Sequence, residues 1–349
     1  MSVSVAAMVR PERLHPGDTV AVLSPSWGGP AVFPDQFDAG LGVLTDTLGL
    51  HVREYPTTRM PSDELRRRPD LRALDLEAAF RDPEIKAIFA SIGGEESIRL
   101  LPRLNPAVAR EHPTLLMGFS DITTLLVFYA QAGLVTFHGL TVMAGIAQLP
   151  AGPPAALEHF RAVLFGADEG RVLRPYTTFS EGYPDWQGQV GALNPPRPAP
   201  GWRCVQGPAR ARGILWGGCA EVLDFLRGTP WWPQPESFTG RLLFLETSEE
   251  APPPLFIERL LRTFGVCGLF DRLAGLLFGR PRDYSDAMIA ELEERVLGVV
   301  AGEFAANELP VVMGLDFGHT DPQHILPLGV EAELDVTAEE LRLLQAPLA

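Results

Sequence analysis

Cysteine is scarce in this chain. There are three in 349 residues, Cys204, Cys219 and Cys267, with no Cys-x-x-Cys. That spacing offers neither a disulfide framework nor a thiolate metal site, and it suits a reducing cytoplasm. Positive charge is scarce too: 29 Lys and Arg stand against 44 Asp and Glu, a net charge of −15. Phosphate binding relies on basic patches, so nucleic acid is not expected as a partner, nor is an anionic membrane surface. A small or cationic substrate stays open, because net charge governs solubility and steering. No run approaches the ~20 apolar residues of a membrane span. The stretch Met1–Arg10 lacks the basic start and long apolar region of a signal peptide. The histidines do not cluster, and His319 and His324, though close, have no His-Glu-x-x-His context. No catalytic metal and no cofactor are expected.

What is present is ordinary in bulk, with 46% hydrophobic and 21% charged residues. Single cores rarely grow beyond roughly 250–300 residues, so a chain of this length accommodates two domains. The first half alternates strands and helices: a strand at Thr19–Ser24, a helix from Pro34 to near Leu48, a strand at His51–Tyr55, a charged amphipathic helix over Arg66–Arg81, and a buried strand at Ile88–Ile92. A strand at Leu115, a helix after Ser120 and a strand at Leu134–Phe137 follow. Such alternation predicts an α/β fold with a doubly wound, Rossmann-like parallel sheet over residues 1–165. Residues 166–210 are dense in Pro, Gly and aromatics and read as a linker with a long irregular loop around Trp186. A C-terminal α/β domain is expected over 211–349. It begins with a strand at Ile214–Trp216 and includes a helix Asp286–Val300 capped by Ser285.

The most informative segment is Gly118-Phe119-Ser120-Asp121-Ile122-Thr123, between the apolar strand Thr114–Met117 and the apolar helix Thr124–Ala130. A serine on a sharp strand-to-helix turn has the geometry of a nucleophile elbow, with the helix N-terminus aimed where negative charge develops. The candidate orienting acid, Glu246, ends the strand Arg241–Leu245, and the candidate base, His319, follows a strand at Met313. All three sit just past strand ends, where α/β enzymes place their chemistry. Each has a plainer reading: Ser120 as a helix N-cap, Glu246 as a surface carboxylate, His319 as a loop histidine. Gly93-Gly94 after the third apolar strand is either a tight turn or an exposed pair of peptides beside the elbow. Trp186 is either a hydrophobic cap or a ring that stacks on substrate.

Four motifs, taken in order, resemble the LD-carboxypeptidase family of serine peptidases: Ser91-Ile92-Gly93-Gly94-Glu95-Glu96-Ser97, the Ser120 segment, Leu243-Phe244-Leu245-Glu246-Thr247-Ser248-Glu249, and Gly318-His319-Thr320-Asp321 with Leu326-Pro327-Leu328-Gly329. The resemblance runs from about Pro16 to Asp335. It covers muramoyl-tetrapeptide carboxypeptidases and MccF-type immunity peptidases, which destroy a peptide–nucleotide antibiotic. It implies a Ser120–Glu246–His319 triad and an oxyanion hole made by the backbone N–H groups of Gly94 and Asp121. It further implies a small peptide or aminoacyl-nucleotide-like substrate and a homodimer. A catalytically silent peptide-binding protein of the same fold is the reading from a different class.

Three residues compete for roles. Cys219, in Gly217-Gly218-Cys219-Ala220-Glu221, also sits on a glycine-rich strand-to-helix turn, as the nucleophile does in amidotransferase-like enzymes of similar fold. The second glycine after it is missing, and the family pattern has Asn there, so Cys219 is ranked as structural or as a substrate contact. His324 rivals His319 as the base, and His138 follows a strand on the same side. The aromatic content around Trp186 and Trp231-Trp232 leans toward the MccF-type branch.

Overall fold

Buried apolar strands in the first half assemble into a six-stranded sheet. The computed structural model describes residues 8–166 and 168–349. Residues 1–7, most of the stretch read above for a leader, lie outside the described residues. The sheet runs in the order His51–Glu54, Thr19–Leu23, Ile85–Ala90, Leu115–Gly118, Thr136–His138 and Leu326–Leu328. The first five strands are parallel. After the first strand the chain places the second on one side and the third on the other. The resulting switch point lies outside the C-terminal ends of Thr19–Leu23 and Ile85–Ala90, where open α/β sheets bind ligands. The sixth strand comes from near the C-terminus and pairs antiparallel with Thr136–His138.

The second sheet has eight strands around a parallel centre of Arg210–Cys219, Arg241–Glu246, Gly275–Gly279 and Val311–Leu315. Its register sets Cys219 beside Glu246 at the strand ends. The amphipathic helices Pro254–Val266 and Asp286–Leu297 pack against each other and bury Leu260, Leu261, Phe264, Leu292 and Val296. Ser285 caps the second helix by accepting the Met288 N–H.

Three departures from the expected elements have local causes. The helix expected over Arg66–Arg81 is two helices, Ser62–Arg67 and Pro69–Arg81. Proline disfavours helical backbone in the residue before it, and Arg68 sits at φ −120°, ψ 54°. Residues 166–210 are not irregular throughout. Val172–Leu173 and Arg203–Gln206 edge the second sheet, while Thr178–Glu181 and Arg197–Pro198 form a small third sheet with Thr320–Asp321. Trp231-Trp232 does not join Trp186 at the cavity: Trp232, half-buried in the segment after the helix Ala220–Leu226, stacks on Phe264 and meets Trp216 and Phe238, packed against the core. Among the described residues, no helix is long and apolar enough to cross a membrane.

Candidate active site

A cavity of about 560 Å³ opens where the ends of the two sheets meet. Ser120, Gly93, Gly94, Trp186, Cys219 and His319 all line it. Ser120 has φ +60°, a left-handed backbone that non-glycine residues adopt only under strain of ~1–3 kcal/mol. The strand Leu115–Gly118 ends in extended Phe119, and the chain reverses at Ser120 into a short 3-10 turn, Ser120–Ile122, and then the helix Thr123–Gln131. No side chain caps that turn or the helix after it. Ser120 therefore does not serve as their N-cap, and its hydroxyl faces the cavity wall shared with Gly93.

Both glycines of the Gly93-Gly94 pair are required. A Cβ on Gly93 would lie 2.8 Å from Ser120 Cβ and 2.9 Å from its Oγ. Gly94 has φ +144°, and a Cβ there would lie 2.4 Å from Ser26 Oγ. The peptide chain thus passes within contact of the elbow, as an acyl-transfer site needs.

Asp121 secures that approach, a role for its side chain that the sequence did not reveal. It is fully buried. Its Oδ2 accepts the Ser26 hydroxyl at 2.6 Å and the Ser97 N–H at 2.7 Å, and its carbonyl accepts the Ser97 hydroxyl at 2.7 Å. Burial pushes this carboxyl above its ordinary range, against the pull of those hydrogen bonds. Arg72 braces the same loops from below. Its side chain is fully buried, and its guanidinium donates to the carbonyls of Pro25 and Ser26, both at 3.2 Å, and to Glu96 at 3.3 Å. The two loops of the switch point are therefore tied to each other and to the elbow.

On the opposite wall, His319 Nδ1 donates to Glu246 Oε2 at 2.6 Å, with both side chains buried. Gly318, at φ +96°, makes this possible, because a Cβ there would stand 2.7 Å from that same carboxylate oxygen. The other ring nitrogen, Nε2, lies 3.1 Å from Glu249 Oε2. Burial disfavours the imidazolium, yet Glu246 and then Glu249 outweigh it and push the His319 pKa up to about 10. Glu249 is in turn held down to about 2, first by its hydrogen bond to His319. The family motif includes Glu249, but nothing in the sequence marked it as a partner of the histidine.

The rival residues lie in unreactive surroundings. Cys219 is fully buried, its N–H donates to Thr123 Oγ1 at 3.1 Å, and burial followed by the charges of Glu246 and Glu221 keeps its thiol protonated. His324 is buried against Tyr176, His159 and Trp202, and burial lowers its pKa to about 3. His138 packs among Phe119, Phe244 and Phe317 and is lowered to about 4, again by burial. Neither lines the cavity. Trp186 does, with Phe33 edge-on at 5.5 Å and Tyr183 tilted at 5.5 Å.

Comparison with known proteins agrees with this architecture. Residues 20–139 match the LD-carboxypeptidase N-terminal domain and residues 212–334 the LD-carboxypeptidase C-terminal domain. A putative carboxypeptidase of Streptomyces coelicolor is 33% identical, over 96% of this chain and 96% of its own length. A probable murein peptide carboxypeptidase of Bacillus subtilis is 28% identical, over 97% of this chain and 94% of its own. An MccF-like protein of Streptococcus pneumoniae, solved in complex with AMP, superposes with a TM-score of 0.83 at 28% identity, covering 94% of this chain and 98% of that one. The chain belongs to the LD-carboxypeptidase family and is a serine-type, carboxypeptidase-like hydrolase.

Proposed function

We propose that the chain removes the C-terminal residue of a muramoyl tetrapeptide across an L,D bond, with Ser120, Glu246 and His319 as its triad. The observation that carries this reading is the buried Glu246–His319 pair on the same cavity as a serine held at φ +60°. Ser120 Oγ attacks the amide carbonyl, and His319 Nε2 takes the proton and passes it to the leaving amine. For this step Glu249 must release Nε2, from which its Oε2 lies 3.1 Å away. Glu246 keeps Nδ1 protonated and stabilises the imidazolium. The N–H groups of Gly94 and Asp121 receive the oxyanion, and water then hydrolyses the acyl-enzyme. The substrate class follows the murein peptide carboxypeptidase similarity. Acting on recycled wall fragments would place the enzyme in the cytoplasm, and a homodimer is its expected state.

A second reading has its own support. Trp186 lines the cavity with Trp27 and Tyr183, and its indole Nε1 is buried without a hydrogen-bond partner. An aromatic wall suits stacking on a nucleobase, and the Streptococcus pneumoniae relative was solved with AMP. The test is hydrolysis of a muramoyl tetrapeptide and an aminoacyl-nucleotide amide side by side, followed by mass spectrometry, with Ser120→Ala as control. Cleavage of the tetrapeptide alone supports the first reading. Cleavage of the nucleotide amide alone replaces it with the second.

A further inference from the structure

A buried ion pair stands behind the His319 segment and has no part in the mechanism above. Arg280 follows the strand Gly275–Gly279, and Asp316 follows its neighbour in the sheet, Val311–Leu315. The two side chains are 4% and 0% exposed, and neither lines the cavity. Arg280 Nη2 donates to Asp316 Oδ1 at 2.5 Å. Taking two charges out of water is costly, and apolar residues of the same volume are often no less stabilising. Stability alone is a weak reason for such a pair, and its placement supplies another.

The second limb of the guanidinium, Nη1, donates to Thr320 Oγ1 at 3.3 Å. Arg280 thus grips the chain on both sides of His319, three residues before it and one after. Between the two grips lies Gly318, at φ +96°, which gives the segment little stiffness of its own. Each grip is anchored further out. Asp316 Oδ2 accepts the Trp202 indole N–H at 2.8 Å and the Tyr176 N–H at 3.3 Å, and its carbonyl accepts the His324 N–H at 2.6 Å. Thr320 pairs with Glu181 in the third sheet, whose Phe179 ring centre lies 4.3 Å from Arg280 Cζ. The Arg280 N–H donates to the Leu315 carbonyl at 2.8 Å, and a Cβ on the preceding Gly279 would lie 3.0 Å from Glu246 Cβ. One guanidinium therefore ties the strand end beside Glu246, the segment that bears His319, and the small sheet.

We infer that Arg280 is a positioning residue: by holding Asp316 and Thr320 together it sets the reach of His319 toward Ser120. The inference rests on His319 as the base and deepens that reading. A planar fork holds two acceptors at a set spacing, which an ammonium on a flexible stem does less well. Misplacing a reacting group by about 1 Å costs on the order of 100-fold in rate.

The test compares Arg280→Met, Arg280→Lys and the charge-free pair of Arg280→Met with Asp316→Asn. Four quantities are read: the rate at which a fluorophosphonate labels Ser120, kcat and KM for whichever of the two amides above is cleaved, the melting temperature, and the NMR signal of the His319 Nδ1 proton. Arg280→Met leaves Asp316 buried and unpaired, so it should be both slow and unstable. The charge-free pair should regain stability yet label and turn over about 10- to 100-fold more slowly than wild type, with KM little changed and the His319 signal displaced. Arg280→Lys should fall between the pair and wild type. A rate that recovers along with stability, or a His319 signal that keeps its wild-type position, would overturn the inference. Should the pair not fold, Arg280→Lys decides on the same readouts. If His319→Ala is labelled as fast as wild type, the reading of His319 as base falls, and the proton signal alone then decides whether Arg280 holds the histidine in place.

Discussion

Glu249→Gln should move the acid limb of the pH–rate profile to lower pH. His319 accepts a proton only when neutral, so kcat/KM rises with pH as the free enzyme's imidazolium deprotonates. Both carboxylates on His319 favour the imidazolium, and together they raise its pKa to about 10 against the effect of burial. Glu246 is fully buried and remains in the variant. Glu249 sits 3.1 Å from Nε2 with a side chain 56% exposed, so its charge is screened. Coulomb's law at about 4 Å gives ~1 kcal/mol in water and ~4 kcal/mol at an effective dielectric constant of 20. A half-exposed group lies toward the lower figure, and ~1.4 kcal/mol is one pH unit. The limb should therefore move down by about one unit. Activity at neutral pH should rise, because a larger fraction of His319 is free to act. The assay is tetrapeptide hydrolysis across pH 5–10, with imidazole titration by NMR as the direct readout. An unmoved limb, or one displaced upward, would refute the view that Glu249 holds the histidine protonated. The same pairing has a stability consequence. With its folded pKa raised, His319 adds stability that is fully present below its ordinary value of 6.5 and is lost as pH rises through about 10.

Ser120→Ala should lower turnover by about 10⁴-fold or more in a folded protein, while Cys219→Ala remains active; the reverse result in a hydrolysis assay would exchange their roles. Ser120→Gly should likewise be inactive yet gain about 1 kcal/mol in denaturant unfolding, because glycine adopts φ +60° without strain. No gain would mean that the elbow is unstrained. Arg72→Leu should lose about 2–3 kcal/mol of stability, because the Pro25 and Ser26 carbonyls lose their donor, while Glu96 keeps Arg66 and Arg99 as partners. A chemical melt within 1 kcal/mol of wild type would show that the brace is dispensable. Trp186→Ala should weaken an aminoacyl-nucleotide by about 1–3 kcal/mol and a plain tetrapeptide much less. Equal losses would make Trp186 a packing residue.

The features legible in the sequence were those with a period or a fixed order. Alternation of apolar strands and helices located the parallel strands around Thr19–Leu23, Leu115–Gly118 and Arg241–Glu246, because fully buried strands form uninterrupted apolar runs. Short strands carry no such signal. Val172–Leu173 and Arg197–Pro198 are two residues each, too short for alternation to register, and their proline-rich surroundings read as loop. Aromatic residues were ambiguous for another reason. Trp186 and Trp232 look alike in sequence, yet one lines the cavity and the other packs against the core, since a large apolar ring suits either place.

Charged residues misled most, because burial of charge is exceptional and is decided by distant partners. Arg72 lies on a helix whose arginines otherwise read as a solvated face. Its burial depends on carbonyls 46 and 47 residues away and on Glu96. Glu249 and Glu221 are unremarkable glutamates until the second sheet sets Cys219 beside Glu246 and the turn after it returns Ser248 to Glu221. The elbow at Ser120 could be recognised locally because it depends on a backbone reversal within one segment. The charges around His319 are brought together over long range, and the fold must form before they exist as a set. Exchanging Glu249, with Ser120, Glu246 and His319 intact, should therefore change the pH at which a peptide is cleaved, read from the pH–rate profile, while the elbow stays as it is.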